Sequence, residues 1–273
     1  MFGGYELIRE TGKATLGALY LARRPDGSTV VIKTLALATE FEPRDQEEVR
    51  KRFFREAEAA ARLQHPAIRK IIESGEDDGT AWVAMENLDG HPLSRYTAEY
   101  DLLDVDEALE LVSRAAEGLH YAHREGVIHR DIKPSNIIFD VLTDRLKITD
   151  FGFAHITDAG RTRTGLVLGT PSFKSPEQLA DGTVTAASDL FSLGVTLYQL
   201  LTGKLPFRSE SMVGLMQNIV SRPHIPPSEA RDDLDATVDE ILDRALQKRP
   251  EERFGDGAQM ASALRNVARA MAE

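Results

Sequence analysis

His129-Arg130-Asp131-Ile132-Lys133-Pro134-Ser135-Asn136, followed further along by Asp150-Phe151-Gly152, is the stretch whose reading decides the fold. A carboxylate, Asp131, stands two positions before an ammonium, Lys133, and five before an amide, Asn136. A second carboxylate, Asp150, closes the set after a short predicted hairpin. Taken alone, these are ordinary polar residues in a loop that caps a helix. Taken together, they are a proton acceptor, a cation and two hard oxygen donors in fixed register, and such a pattern gains weight from the elements around it.

The elements around it change character near Gly90. Before that point the chain reads as strands. Tyr5 to Arg9 and Ala18 to Arg23 are short apolar-rich runs with a glycine-rich turn between them. Pro25-Asp26-Gly27-Ser28 is turn chemistry leading into the β-branched run Thr29-Val30-Val31-Ile32-Lys33. Asp77-Asp78-Gly79-Thr80 is a second hairpin turn before Ala81-Trp82-Val83-Ala84-Met85. One helix, from about Pro43 to Leu63, interrupts this sheet, with Phe53, Ala57, Ala60 and Ala61 as its buried stripe.

After Gly90 the period is helical. Asp104 with Glu107 three residues on resembles a capping box, and Leu109, Val112, Ala116, Leu119 and Ala122 repeat at helical spacing. Gly126 suits the C-terminal cap. Ala187 to Leu201 is apolar on nearly every face and predicts a buried central helix ended by Gly203. Further helices are expected near Ser209–Val220, Ala236–Gln247 and Gly257–Met271. A sheet-rich lobe (1–88) followed by a larger helical one (89–273) makes one two-lobed α+β domain over 1–273, with a cleft for a ligand.

Composition narrows the function classes. The chain has 273 residues and a formal net charge of −11, which disfavours nonspecific nucleic-acid binding. It contains no cysteine, so disulfides, thiolate zinc sites and a cysteine nucleophile are excluded. No apolar run approaches the ~20 residues of a membrane-spanning helix, and a cytoplasmic setting is expected.

On these segments the chain resembles a Hanks-type Ser/Thr protein kinase of the bacterial eukaryotic-like group, from about Tyr5 to Arg253. The resemblance implies ATP with Mg²⁺ (Mn²⁺ as a substitute), protein substrates bearing Ser or Thr, and a signalling role. It implies that Asp131 is the catalytic base, that Lys133 neutralises charge on the γ-phosphate, and that Asn136 and Asp150 bind the metal. Lys33 would reach the α- and β-phosphates, paired with Glu56 of the following helix. The segment Thr11-Gly12-Lys13-Ala14-Thr15-Leu16-Gly17-Ala18-Leu19 stands for the glycine-rich phosphate loop, with Ala14 in place of its middle glycine, Leu19 where valine is usual over the adenine, and Val31 in place of an alanine. Met85 resembles the gatekeeper, Glu86-Asn87-Leu88 the hinge that reads the adenine edge, and Ile138 the floor beneath the base.

Further along, Thr170 resembles the threonine supporting Asp131 and Lys133. Glu177, in Ser175-Pro176-Glu177, would pair with Arg253, and Asp189 would hold the catalytic-loop backbone. Thr162 and Thr164 are candidate phosphosites whose phosphate Arg130 would receive, so autophosphorylation, in a dimer if it runs in trans, would switch the domain on. His129 reads as a packing residue. His120 and His123 have helical spacing but lack a third metal ligand. The rival readings are a pseudokinase that binds nucleotide as a scaffold, and a small-molecule phosphotransferase. Relatives of this group often continue into a linker, a membrane helix and a sensor domain, so the chain is expected to be part of a longer protein.

Overall fold

A computed structural model describes residues 2–14, 17–151, 171–180, 182–231 and 233–272. The chain packs as two units. The first runs to Asp89 and takes in Asp150 and Phe151 from later in the chain; the second takes Gly90–Thr149 and the described chain from Pro171 onward.

The first unit is built on an antiparallel sheet of β1 (Glu6–Ala14), β2 (Gly17–Arg23), β3 (Thr29–Ala36), β4 (Ile71–Asp77) and β5 (Thr80–Glu86), in the spatial order β1-β2-β3-β5-β4. The β-branched β3 is therefore central, where such side chains pack best. On one face Tyr5, Ala22, Val30, Ile32, Trp82 and Ala84 form a closed apolar cluster. Two helices lie between β3 and β4 where one was expected. A single turn, α1 (Leu37–Glu40), precedes α2 (Pro43–Ala61), because Leu37 and Phe41 are buried and draw the chain into a turn before Pro43 restarts it. Proline at the first helical position costs nothing, since its missing N–H would be unpaired there. β1 also runs further than its apolar pattern predicts. Its ladder with β2 continues through Gly12 and Lys13 to the pair Ala14↔Gly17, with bulges at Leu7/Arg9 and Glu10/Gly12. Backbone pairing needs no apolar side chain, so the sequence pattern ended early.

In the second unit α3 (Val105–Arg124) begins at Asp104, but the capping box is absent. Asp104 makes no side-chain cap. Burial raises the pKa of Glu107, and Asp104 and Asp106 raise it further, so three carboxylates crowd one turn and repel rather than fold together on it. The other end matches expectation: Gly126 donates to the His123 carbonyl at 3.0 Å and buried Val127 to that of Ala122 at 2.9 Å, closing the helix. A small sheet of β6 (His91–Pro92), β7 (Ile137–Asp140) and β8 (Arg145–Ile148) follows. Then come the single turn α4 (Pro176–Leu179) and α5 (Ala186–Thr202), whose residues from Ser188 to Tyr198 are all buried. The remaining helices are α6 (Met212–Ser221), α7 (Pro227–Ala230), α8 (Ala236–Ala245) and α9 (Gly257–Ala272).

α5 and α8 touch through a residue without a side chain. A Cβ on Gly194 would stand 2.8 Å from the Ala245 Cβ and 3.2 Å from Leu246 Cδ2. Gly194→Val should therefore overpack this crossing at a cost of about 1–3 kcal/mol. At roughly 2–4 °C per kcal/mol for a domain of this size, the melting temperature falls accordingly. Adding Ala245→Gly should recover part of the loss; a double variant no more stable than the single one would show that the crossing is not the cause.

Candidate active site

The segment from His129 to Asn136 is held in its shape by groups remote in sequence. Arg130 has a left-handed backbone, φ 69°, which costs a non-glycine residue about 1–3 kcal/mol. Asp189, buried in the first turns of α5, offsets that cost. Its Oδ2 accepts the His129 N–H at 2.8 Å and its Oδ1 accepts the Arg130 N–H at 2.7 Å. His123 Nε2 lies 2.8 Å from the same carboxylate. The Arg130 carbonyl accepts Lys174 Nζ at 3.0 Å and Gln178 Nε2 at 2.9 Å. Both backbone polar groups of this strained residue are thus clamped.

His129 is fully buried. Its Nε2 is 2.7 Å from the Thr149 carbonyl, which can only accept, so Nε2 carries the proton. Nδ1 is then free to accept the Asp131 N–H at 3.2 Å. The imidazole is a spacer between two backbone segments, as expected, with no spare nitrogen for acid–base work.

Asp131 faces two cations. Lys133 Nζ lies 2.6 Å from Oδ2 and Lys174 Nζ 3.3 Å from Oδ1. Burial pushes the carboxyl up, but the Lys174 charge, then the Lys133 charge and hydrogen bond, outweigh it and leave its pKa below the ordinary value. Asp131 is therefore a carboxylate at neutral pH. Asn136 ends a 3-10 turn, Pro134–Asn136, and donates Nδ2 to the Asp131 carbonyl at 2.8 Å and to Oδ2 at 3.3 Å. With its NH₂ turned to Asp131, the amide oxygen is left as a donor for a hard cation. Thr149 ties the next strand to this turn, its N–H reaching the Asn136 carbonyl at 2.8 Å.

In the first unit, Lys33 on β3 bonds Asp150 Oδ1 at 2.7 Å, with side-chain exposures of 17% and 30%. Asp150 also has a left-handed backbone, φ 64°. Glu56 is half-buried on α2. Gly17 sits where a side chain cannot: at φ 148°, a Cβ would lie 2.0 Å from the Thr34 carbonyl oxygen. Thr11 Oγ1 donates to the Leu19 carbonyl at 3.2 Å, and Leu19 pairs with Lys33 across the ladder. Val31 pairs with the buried Met85. Glu86 has its N–H on the Lys70 carbonyl, a carboxylate oxygen on the Lys70 N–H and its own carbonyl on Arg69 Nε, each at 3.0 Å. Leu88 is half-exposed. In the second unit Ile138 points away from the core that holds Ile137 and Phe139. Thr170, Thr162, Thr164 and Gly152 lie outside the described residues, as do the side chains of Lys13 and Ala14.

The expected Glu177–Arg253 pair is formed, with both oxygens matched to both terminal nitrogens at 2.8 Å. The other three N–H groups of Arg253 reach the carbonyls of Gln247, Ala187 and Lys248 at 2.8, 2.9 and 3.0 Å. All five donors are used on a side chain with no exposure. Ser188 Oγ adds a bond to Glu177 at 2.6 Å. Lys174, Gln178 and Arg69 were not foreseen as parts of these arrangements, since each acts across a long stretch of sequence with no local pattern to mark it.

The protein kinase domain model matches residues 5–266. The chain belongs to the protein kinase domain family. The serine/threonine-protein kinase PknB of Mycobacterium tuberculosis is 39% identical over 223 residues, 79% of this chain and 36% of that protein. The serine/threonine-protein kinase Pkn1 of Myxococcus xanthus is 34% identical over 96% of this chain and 38% of its own length. This kinase domain therefore spans little more than a third of the length of these relatives. The crystal structure of a mutant PknI kinase domain from Mycobacterium tuberculosis superposes with a TM-score of 0.77 at 31% identity, covering 98% of this chain and 97% of that one. The fold is the protein kinase fold, α+β with an antiparallel sheet in one unit and mainly helices in the other. Among the described residues no helix is long and apolar enough to cross a membrane.

The half-buried Glu177 supplies a stability test with a definite sign. Burial raises its pKa, but the Arg253 and Ser188 hydrogen bonds outweigh that and bring it below the ordinary value. A folded pKa below the unfolded one gives stability that is full above about pH 4.3 and lost as pH falls through the folded value. Glu177→Gln, which leaves Arg253 without its partner, should cost about 3–5 kcal/mol near neutral pH. The gap in chemical-denaturation stability between the two proteins should begin to narrow as pH falls below about 4.3 and close as it passes through the lower folded value. A gap independent of pH would show that packing, not charge, carries the site.

Proposed function

We propose that this domain transfers the γ-phosphate of Mg-ATP to serine or threonine hydroxyls of protein substrates. The observation that carries the reading is Asp131: an ionised carboxylate, fixed at Oδ2 by Lys133 at 2.6 Å, on a backbone pinned by Asp189. Phosphoryl transfer asks a protein mainly for positioning and charge neutralisation, and this segment supplies both.

In this reading the acceptor hydroxyl donates its proton to Asp131 as its oxygen bonds to the γ-phosphorus and the bond to the β-phosphate oxygen breaks, releasing ADP. Lys133 offsets negative charge on the transferred group. Lys33 reaches the α- and β-phosphates, with Glu56 as its partner. Thr11, Gly12, Lys13, Ala14 and Gly17 are assigned to the phosphate loop, and Leu19, Val31, Met85, Glu86, Leu88 and Ile138 to the base, on the family resemblance. Asp150 and the Asn136 amide oxygen are the hard donors that suit Mg²⁺, with Mn²⁺ as a substitute. Bound metal neutralises phosphate charge. Thr170 is proposed to support Asp131 and Lys133. Autophosphorylation of Thr162 or Thr164, received by Arg130 and run in trans by a second copy, is the proposed switch, and the cytoplasm the proposed compartment. The names of the relatives support the Ser/Thr assignment.

Transfer from labelled ATP to a basic test protein with Mg²⁺ tests this. The unaltered chain should label itself and the substrate, and Asp131→Asn should lower the rate by about 10²–10⁴-fold. No labelling by the unaltered chain, with either Mg²⁺ or Mn²⁺, would leave a nucleotide-binding scaffold as the reading.

A further inference from the structure

The two oxygens of Asp131 are not equivalent. Oδ2 is taken by Lys133 at 2.6 Å and Asn136 at 3.3 Å. Among the described residues, Lys174 is the group on Oδ1, at 3.3 Å. Among these residues, Oδ1 is thus the oxygen left to accept a substrate proton. A hydroxyl that donates to it must come within about 2.6–3.2 Å. It then arrives beside the Lys174 ammonium, which already stands on that atom.

Lys174 is held there firmly. Pro171–Phe173 forms a 3-10 turn, and the Lys174 N–H closes it on the Pro171 carbonyl at 2.9 Å. Ser192 of the buried α5 donates to the Phe173 carbonyl at 2.7 Å. On the other side Ser175 and Gln178 form a capping box that starts α4. Only the side chain can respond, and it is 17% exposed. A hydroxyl that donates to Oδ1 shares that atom with the ammonium, which keeps its bond to the Arg130 carbonyl; as Asp131 takes the hydroxyl proton, the carboxylate charge facing the ammonium is neutralised, in a half-buried place where an unmatched charge is costly. A carboxylate brought by the substrate itself restores the match.

We propose that Lys174 is a specificity-determining residue that selects serine or threonine acceptors flanked directly by an aspartate or glutamate. This deepens the kinase reading and rests on it. The net charge of −11 does not oppose it. Exposed charges more than a Debye length away, about 8 Å at physiological salt, are largely screened, whereas a contact at about 3 Å is not.

The test is a set of peptides that differ only in the residue next to the acceptor, Glu, Gln or Lys, placed on either side. They are assayed with the unaltered chain, Lys174→Met and Lys174→Glu, with melting temperatures measured alongside. The unaltered chain should favour Glu over Gln on at least one side by roughly tenfold in kcat/KM, mostly through KM, the worth of one charge-assisted hydrogen bond. Lys174→Met should bring that ratio to within about twofold, and Lys174→Glu should turn the preference toward Lys. A Glu/Gln ratio that is flat in the unaltered chain, or that survives in Lys174→Met, overturns the proposal; a loss of rate shared equally by all peptides assigns Lys174 to holding the Arg130 carbonyl instead. If the unaltered chain phosphorylates its own threonines but shows no flanking preference, only Lys174 is at fault. If it transfers phosphate to nothing, the kinase reading falls and takes this inference with it.

Discussion

The second unit depends on one carboxylate. Asp189 is 1% exposed, and a buried charge of that kind costs several kcal/mol unless it is matched. The match comes from the His129 and Arg130 N–H groups and from His123. The exchange works in both directions. The peptide N–H groups need an acceptor inside a core that offers few, and the carboxylate needs donors. Arg130 keeps a left-handed backbone because this acceptor fixes its N–H while Lys174 and Gln178 hold its carbonyl. With Arg130 so placed, the next residue, Asp131, is turned to where Lys133 and Lys174 meet it. The position of Asp131 is thus set by a residue near the start of a helix that lies far later in the chain.

That helix start is itself fixed from outside. Ser188, one residue before Asp189, accepts the Thr185 N–H at 3.1 Å and donates to Glu177. Glu177 is gripped by Arg253, whose remaining donors bind carbonyls on either side, including Ala187 of the same helix turn. Two carboxylates, one buried and one half-buried, therefore act through adjacent residues of α5. One holds the catalytic segment and the other holds α5. In the Glu177–Arg253 network every donor of the arginine is matched, and such a network is rigid because each member left unpaired would carry its whole desolvation cost. An apolar contact could be as stable, but it would not fix an angle.

The chemistry of the domain was legible in its sequence because that chemistry is written in short local spacing. Asp131, Lys133 and Asn136 lie within one turn of chain, and Asp189 sits at the head of a run too apolar to be anything but a core helix. The single-turn α1, the extension of β1 and the bare N-cap of α3 were not legible. They depend on backbone pairing, on the burial of Leu37 and Phe41, and on repulsion among three acids, none of which leaves a periodic signal. Lys174 and Arg69 were missed for a different reason. A lysine in Ser172-Phe173-Lys174-Ser175 or an arginine in Ala67-Ile68-Arg69-Lys70 looks like a solvated surface charge until the fold turns it inward.

Both of those cations end on groups that the functional reading needs. Arg69 lies on the Glu86 carbonyl, the first peptide of the proposed hinge, and burial pushes its pKa below the ordinary arginine range while the carboxylates of Asp150 and Glu86 oppose that shift. Lys174 lies on Asp131. The acidic composition of the chain predicts neither, because composition describes the far field and catalysis happens in the near one. At 3.3 Å, in a half-buried place, one ammonium on the oxygen proposed to accept the proton outweighs a net charge of −11 spread over the surface. In that proposal the sign of this single contact, rather than the pI, is what a substrate meets.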